Sequence, residues 1–123
     1  MQDPSLDQTL LVLCTAPATG EVAAELARGL VRERPAACVN IIGPVRSVYR
    51  WQGEVQDEPE LQLFIKTRQS RYPALERWLI DHHPYEVPEV LALAVTTGAG
   101  AYLAWLAEQT GASMPPPSDP RPV

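Results

Sequence analysis

The chain has 123 residues, 46% of them hydrophobic and 20% charged, with ten Lys and Arg against fifteen Asp and Glu for a formal net charge of −5. This length supports one domain around one hydrophobic core, with the composition of an ordinary soluble protein. The negative balance argues against phosphate-backbone binding, which needs clustered Lys and Arg, and no apolar run reaches the roughly 18 residues of a membrane-spanning helix.

Residues 1–8 read as a flexible polar lead with neither a basic region nor an apolar signal core, which predicts a cytoplasmic protein. Cys14 and Cys38 lie in apolar stretches and form no Cys-x-x-Cys pair. That suits a reducing compartment and offers no disulfide framework or zinc knuckle.

The folded domain is expected over residues 9–112. Residues 9–15 are a continuous apolar run of strand length, broken by Ala16-Pro17-Ala18. Thr19 is placed to cap a helix whose Val22, Ala23, Leu26, Ala27, Leu30 and Val31 recur at helical spacing up to Arg34-Pro35. Residues 37–52 are rich in β-branched and aromatic side chains and predict one long strand, bent or bulged at Gly43-Pro44. Gln52-Gly53 offers a tight reversal, and residues 54–67 return with Leu61, Leu63 and Ile65 on one face, completing a long hairpin.

Residues 70–83 form a second helix, with Pro73 in its first turn, Leu75, Trp78, Leu79 and His82 at helical spacing, and Pro84 as the stop. Residues 89–96 read as another buried strand, and residues 101–109 as a terminal helix with Tyr102, Leu103, Trp105 and Leu106. From residue 113 to 123, five of eleven residues are proline, which predicts a disordered tail.

Strand, helix, strand, strand, helix, strand is the ferredoxin-like α+β order. Right-handed crossovers then give an antiparallel sheet in the order 4-1-3-2 with both helices on one face. The first strand ends, the second helix ends and the fourth strand begins at the same edge, so Cys14, His82 and Glu89 are expected to converge. A thiolate, an imidazole and a carboxylate suit a borderline divalent ion such as Cu(II) or Zn(II). Each has a plainer explanation: Cys14 as an inert core thiol, His82 as a helix C-terminal cap, Glu89 as a partner for backbone amides. His83 reads as exposed or bonded to its loop, and Tyr85, Pro84 and Pro88 as loop rigidifiers.

The hairpin strands are far longer than the helices that would cover them, so Val48, Tyr49 and Trp51 are left on a projecting ribbon. Such a patch predicts a homo-oligomer.

Several ordered motifs carry a resemblance: Cys14-Thr15-Ala16-Pro17, Ala36-Ala37-Cys38-Val39-Asn40-Ile41, Ser47-Val48-Tyr49-Arg50-Trp51-Gln52-Gly53, Lys66-Thr67, His82-His83-Pro84-Tyr85-Glu86-Val87-Pro88-Glu89 and Tyr102-Leu103-Ala104-Trp105. Over residues 9–109 the sequence resembles the CutA divalent-cation-tolerance family. The resemblance implies a ferredoxin-like homotrimer joined through the long hairpins, a role in tolerance of copper and other divalent cations, and copper ligands at Cys14, His82 and Glu89. Pro35 stands where leucine is common, and Gly43-Pro44 reverses the usual order.

Enzyme readings lack support. Ser47 and Ser70 have no visible base, there is no phosphate-binding glycine loop, and residues 14–20 hold no arginine such as an acylphosphatase would use. An RNA-binding domain on this fold would carry strand aromatics and positive charge. Two alternatives to metal binding stand: a trimeric sensor like the PII signalling proteins, taking an anionic ligand in an intersubunit cleft lined by Arg46, Arg50, Lys66 and Arg68, and a structural trimer that anchors a partner protein.

Overall fold

The structure, a computed structural model, describes residues 7–111. Apart from Asp7 and Gln8, the expected polar lead lies outside the described residues, as does the proline-rich tail. The elements are β1 (Thr9–Pro17), α1 (Val22–Arg32), β2 (Cys38–Trp51), β3 (Glu54–Arg68), α2 (Tyr72–His82), β4 (Leu91–Ala94) and α3 (Gly100–Gln109), with a 3₁₀ turn at Gln69–Arg71 leading into α2. The four strands form one antiparallel sheet in the order β2-β3-β1-β4, the ferredoxin-like arrangement expected from the element order.

Period-two alternation builds the core. Leu10, Val12, Cys14 and Ala16 on β1 and Leu63 and Ile65 on β3 meet Ala23, Leu26 and Leu30 of α1 and Leu75 and Leu79 of α2. Truncating any one of these leucines to alanine removes roughly 2–5 kcal/mol. The helices cross where Gly29 gives way to the Trp78 indole, since a Cβ at residue 29 would stand 2.3 Å from Trp78 Cζ2.

The hairpin turn uses Gln52 and Gly53, both at positive φ (51° and 83°), the conformation that matches the twist of two strands joined by a two-residue loop. The register slips between Ile42 and Val45, so the bulge at Gly43-Pro44 falls where the sequence indicates. Gly43 has a φ of 152°, and a side chain there would meet Leu61. Fourteen β2 residues span about 46 Å, whereas the eleven of α1 cover about 17 Å. Val48 and Val55 beyond the helices are accordingly 64% exposed.

Several local expectations are corrected. β1 runs through Pro17, whose missing N–H is tolerable at the strand's last position. Glu21, not Thr19, occupies the α1 N-cap, and no side chain caps it. β4 is shorter than residues 89–96 and is exposed rather than buried, with Leu91 at 58%, because it pairs only with β1 at the sheet edge and lies beyond the helices.

α3 is fastened at its C-terminus. Arg34 donates to the Glu108 and Gly111 carbonyls, and Arg68 to Thr110, so two guanidinium groups satisfy oxygens that a helix end leaves unpaired. Asp7 joins this cluster, pairing with Arg68 and accepting from the Ser70 amide ahead of α2.

The helix crossing makes a direct prediction. Gly29→Ala must displace the Trp78 ring, and chemical denaturation should show a loss of roughly 1–3 kcal/mol. An unchanged unfolding midpoint would show that the crossing has slack.

Candidate functional site

Two rows of α2 decide where the histidines go. Leu75, Leu79 and His83 follow at four-residue spacing on the inward side, while Trp78 and His82 form a second row facing α1. His82 is therefore exposed, while His83 is buried at 7%, so that of the two expectations for His83 exposure fails and bonding to its loop holds.

At the end of α2, His83 turns into extended backbone (φ −76°, ψ 139°). Its Nε2 lies 2.7 Å from the Thr15 carbonyl oxygen, and its Nδ1 accepts the Tyr85 amide at 3.1 Å. A carbonyl only accepts and an amide only donates, so this geometry selects the tautomer protonated at Nε2. Both ring nitrogens are thereby used, and His83 has no lone pair left for a metal. His82 is different. Its ring stacks on Trp78 with centroids 4.0 Å apart, and Nδ1 lies 2.8 Å from the Trp78 carbonyl, to which it donates. Nε2 then keeps an open lone pair, the arrangement in which a metal-binding imidazole is oriented through its other nitrogen.

The His83 clip holds the loop from Tyr85 to Glu89 against the end of β1, and a cleft of about 520 Å³ opens beside it. Its floor is Thr15 and Glu60, one wall is Ser47, Tyr49 and Trp51 from the hairpin, and the other is Tyr85, Glu86 and Glu89. Tyr85 donates its hydroxyl to Glu60 Oε2 at 2.7 Å, which burial and this bond together make a poor acid, its pKa pushed well up. Tyr49 is bonded likewise to Glu58.

Cys14 is fully buried, and its thiol is pushed up from 9.0 to about 12, first by desolvation and then by Glu89 and Glu60. The thiol stays protonated at neutral pH and donates weakly to the Thr15 carbonyl at 3.6 Å. Cys14 and Glu89 are thus brought within electrostatic reach of each other, as the topology indicates. His82 is not brought to them, since it lines the separate groove between α1 and α2 with Glu25, Glu33 and Trp78. Among the described residues no three His, Cys, Asp or Glu side chains form a group able to hold a metal ion. The expected convergence of all three residues is not realised within one chain, because His82 stacks outward on Trp78.

The basic residues considered for an anionic cleft are largely engaged elsewhere. Arg46 grips Asp57 through two bonds of 2.8 Å and holds that carboxyl below its usual range. Lys66 meets Asn40 and Cys38, and Arg68 binds Asp7 and Thr110. Among the described residues no basic side chain lines the cleft. Sequence reasoning missed Glu60, which sits in an acidic run that reads as solvated. Its signal was parity: Leu61, Leu63 and Ile65 face the core, so Glu60 faces the opposite side of the sheet.

The fold and cleft define a ferredoxin-like α+β protein with a carboxylate-rich cavity at one end of the sheet. Comparison with known proteins places it more narrowly. The family described as CutA1 divalent ion tolerance protein matches residues 10–109. The chain is 48% identical over 101 residues to the divalent-cation tolerance protein CutA of Thermus thermophilus, covering 82% of this chain and 97% of that one. It is 44% identical to the chloroplastic protein CutA of Arabidopsis thaliana, covering 83% of this chain and 56% of that one. The crystal structure of CutA1 from Oryza sativa superposes with a TM-score of 0.82 at 41% identity, over 87% of this chain and 97% of that one. The chain belongs to the CutA1 divalent ion tolerance protein family.

Cys14 supplies a test of the site's electrostatics. A shift from 9.0 to about 12 leaves roughly a thousandth of the thiolate of an ordinary cysteine at the same pH. In a Cys38→Ser background, iodoacetamide should modify Cys14 only very slowly at pH 8. Because the folded state holds this proton more tightly than the unfolded chain, the associated stability is fully present below pH 9 and is lost as pH rises toward 12. Alkylation at the rate of an exposed thiol would contradict this environment.

Proposed function

We propose that the chain acts in divalent-cation tolerance by binding Cu(II), with Zn(II) as a second ion, through Cys14, His82 and Glu89. The observation that carries this reading is the charge of the cleft, whose acidic or basic lining side chains among the described residues are the carboxylates Glu60, Glu86 and Glu89, with the buried Cys14 thiol within the field of Glu89 and Glu60. A dication at Glu89 offsets the negative field that helps keep Cys14 protonated, so metal uptake there is coupled to release of the thiol proton. His82 contributes its open Nε2. Because His82 lies apart from the other two in one chain, the full ligand set requires rearrangement or donors from a second subunit.

A homotrimer supplies such a junction. Exposed Val48 and Val55 on the hairpin and Leu91 and Leu93 on β4 are apolar surface that a monomer leaves in water, and covering it stabilises by about 25 cal/mol per Å². The two free cysteines agree with a cytoplasmic setting. Among the described residues no helix is long and apolar enough to cross a membrane. An anionic ligand gains no support from a cleft in which no basic side chain appears among the described residues.

Titration of the purified oligomer with Cu(II) and Zn(II), read by calorimetry in two buffers of different ionisation enthalpy, tests the proposal. Saturable Cu(II) binding with net proton release is expected, weakened at least tenfold in Glu89→Gln and in His82→Ala, with proton release abolished in Cys14→Ser. Equal binding in all three variants would refute it.

A further inference from the structure

Glu60 is 6% exposed, yet no Lys, Arg or His among the described residues pairs with it. One carboxylate oxygen accepts the Tyr85 hydroxyl, and the other accepts no hydrogen bond among the described residues. Burying a charge is costly, and buried charges are ordinarily met by an opposite one. Burial first raises the pKa of Cys14 and Tyr85, and the Glu58 hydrogen bond that of Tyr49, and the charge of Glu60 adds to each of these shifts. Arg46, on the facing strand, is committed to Asp57. Glu60 thus lacks a cation.

The cavity above it constrains what that cation is. At about 520 Å³ it falls in the range of small-molecule pockets and far exceeds a bare ion. Glu86 and Glu89 place two further carboxylates on the opposite wall, while Tyr49, Trp51 and Val87 supply apolar and aromatic surface between the charges. Ammonium groups are attracted both by carboxylates and by aromatic faces, and methylene chains pack on apolar walls. An anion is repelled by such a site, and a single metal ion leaves most of it unused.

From this alternation of charge and apolar wall we infer that the cleft binds an aliphatic polyamine. One ammonium sits on Glu60, the others meet Glu86 and Glu89, and the methylene spacers lie against Tyr49 and Trp51. The site shares Glu89 with the proposed copper ligation but is anchored on Glu60, and His82 takes no part in it.

Calorimetric titration of the purified full-length oligomer with spermidine tests the inference. Saturable binding is expected, weakened at least tenfold in Glu60→Gln, which retains an acceptor for Tyr85, and several-fold in Glu86→Gln, whose residue is exposed and whose change leaves the fold intact. Glu108→Gln, on α3, removes the same charge at a distance and should change nothing. Absence of saturable binding overturns the inference, and so does an equal loss in Glu108→Gln, which would reduce the effect to general attraction by an acidic protein. His82→Ala separates the two readings: it should retain spermidine while losing copper. Loss of spermidine in His82→Ala with retention in Glu60→Gln would also overturn the inference.

Discussion

A buried imidazole holds this protein's functional end together. His83 sits where α2 has run out of helix, and it joins the carbonyl of Thr15 on β1 to the amide of Tyr85 in the following loop. One ring thus joins the end of α2, the end of β1 and the following loop. Leaving either buried backbone group without its partner costs roughly 1–3 kcal/mol, so the loop has a defined path rather than a choice of several. Everything it carries follows. Tyr85 is delivered to Glu60, and Glu86 and Glu89 are set along one wall of a cavity whose other wall is the hairpin. The cavity is therefore a consequence of the clip.

The distribution of charge gives that cavity its sign. The basic side chains near the sheet are spent on local partners: Arg46 on Asp57, Arg68 on Asp7 and Thr110, Arg34 on the end of α3. The exposed Arg46–Asp57 pair adds little stability, but together these contacts hold positive charge away from the cleft. The acidic groups there have no basic partner among the described residues, and they add to the burial and hydrogen bonding that push the adjacent thiol and phenols up. A site so arranged favours cations, which ties the physical chemistry of the cleft to the divalent-ion tolerance family to which the chain belongs.

Much of the fold was legible in the sequence because it rests on local pattern. Alternating Leu61, Leu63 and Ile65, the Gln52-Gly53 reversal, the break at Gly43-Pro44 and the stop at Pro84 each act within a few residues, and connection handedness then fixes the strand order. The exposure of β4 was not legible. Its apolar run matches a buried strand, and only the placement of α1 and α2 over β1 and β3 shows that no described residue seals it from solvent. The burial of His83 was hidden for a related reason. His82 and His83 sit next to each other near a helix end, and a one-residue difference in where the helix stops exchanges the inward row for the outward one. Glu60 was hidden among acidic neighbours, since burial of a carboxylate depends on a tyrosine 25 residues away.

The account depends most on His83 as the fastener of the loop that carries Tyr85, Glu86 and Glu89. Amide hydrogen exchange, compared between the natural chain and His83→Ala under conditions where both are folded, reads this directly at the Tyr85 amide. The account predicts strong protection of Tyr85 in the natural chain and its loss in the variant, with β1 and β3 still protected. A Tyr85 amide that exchanges equally slowly in both proteins would contradict it.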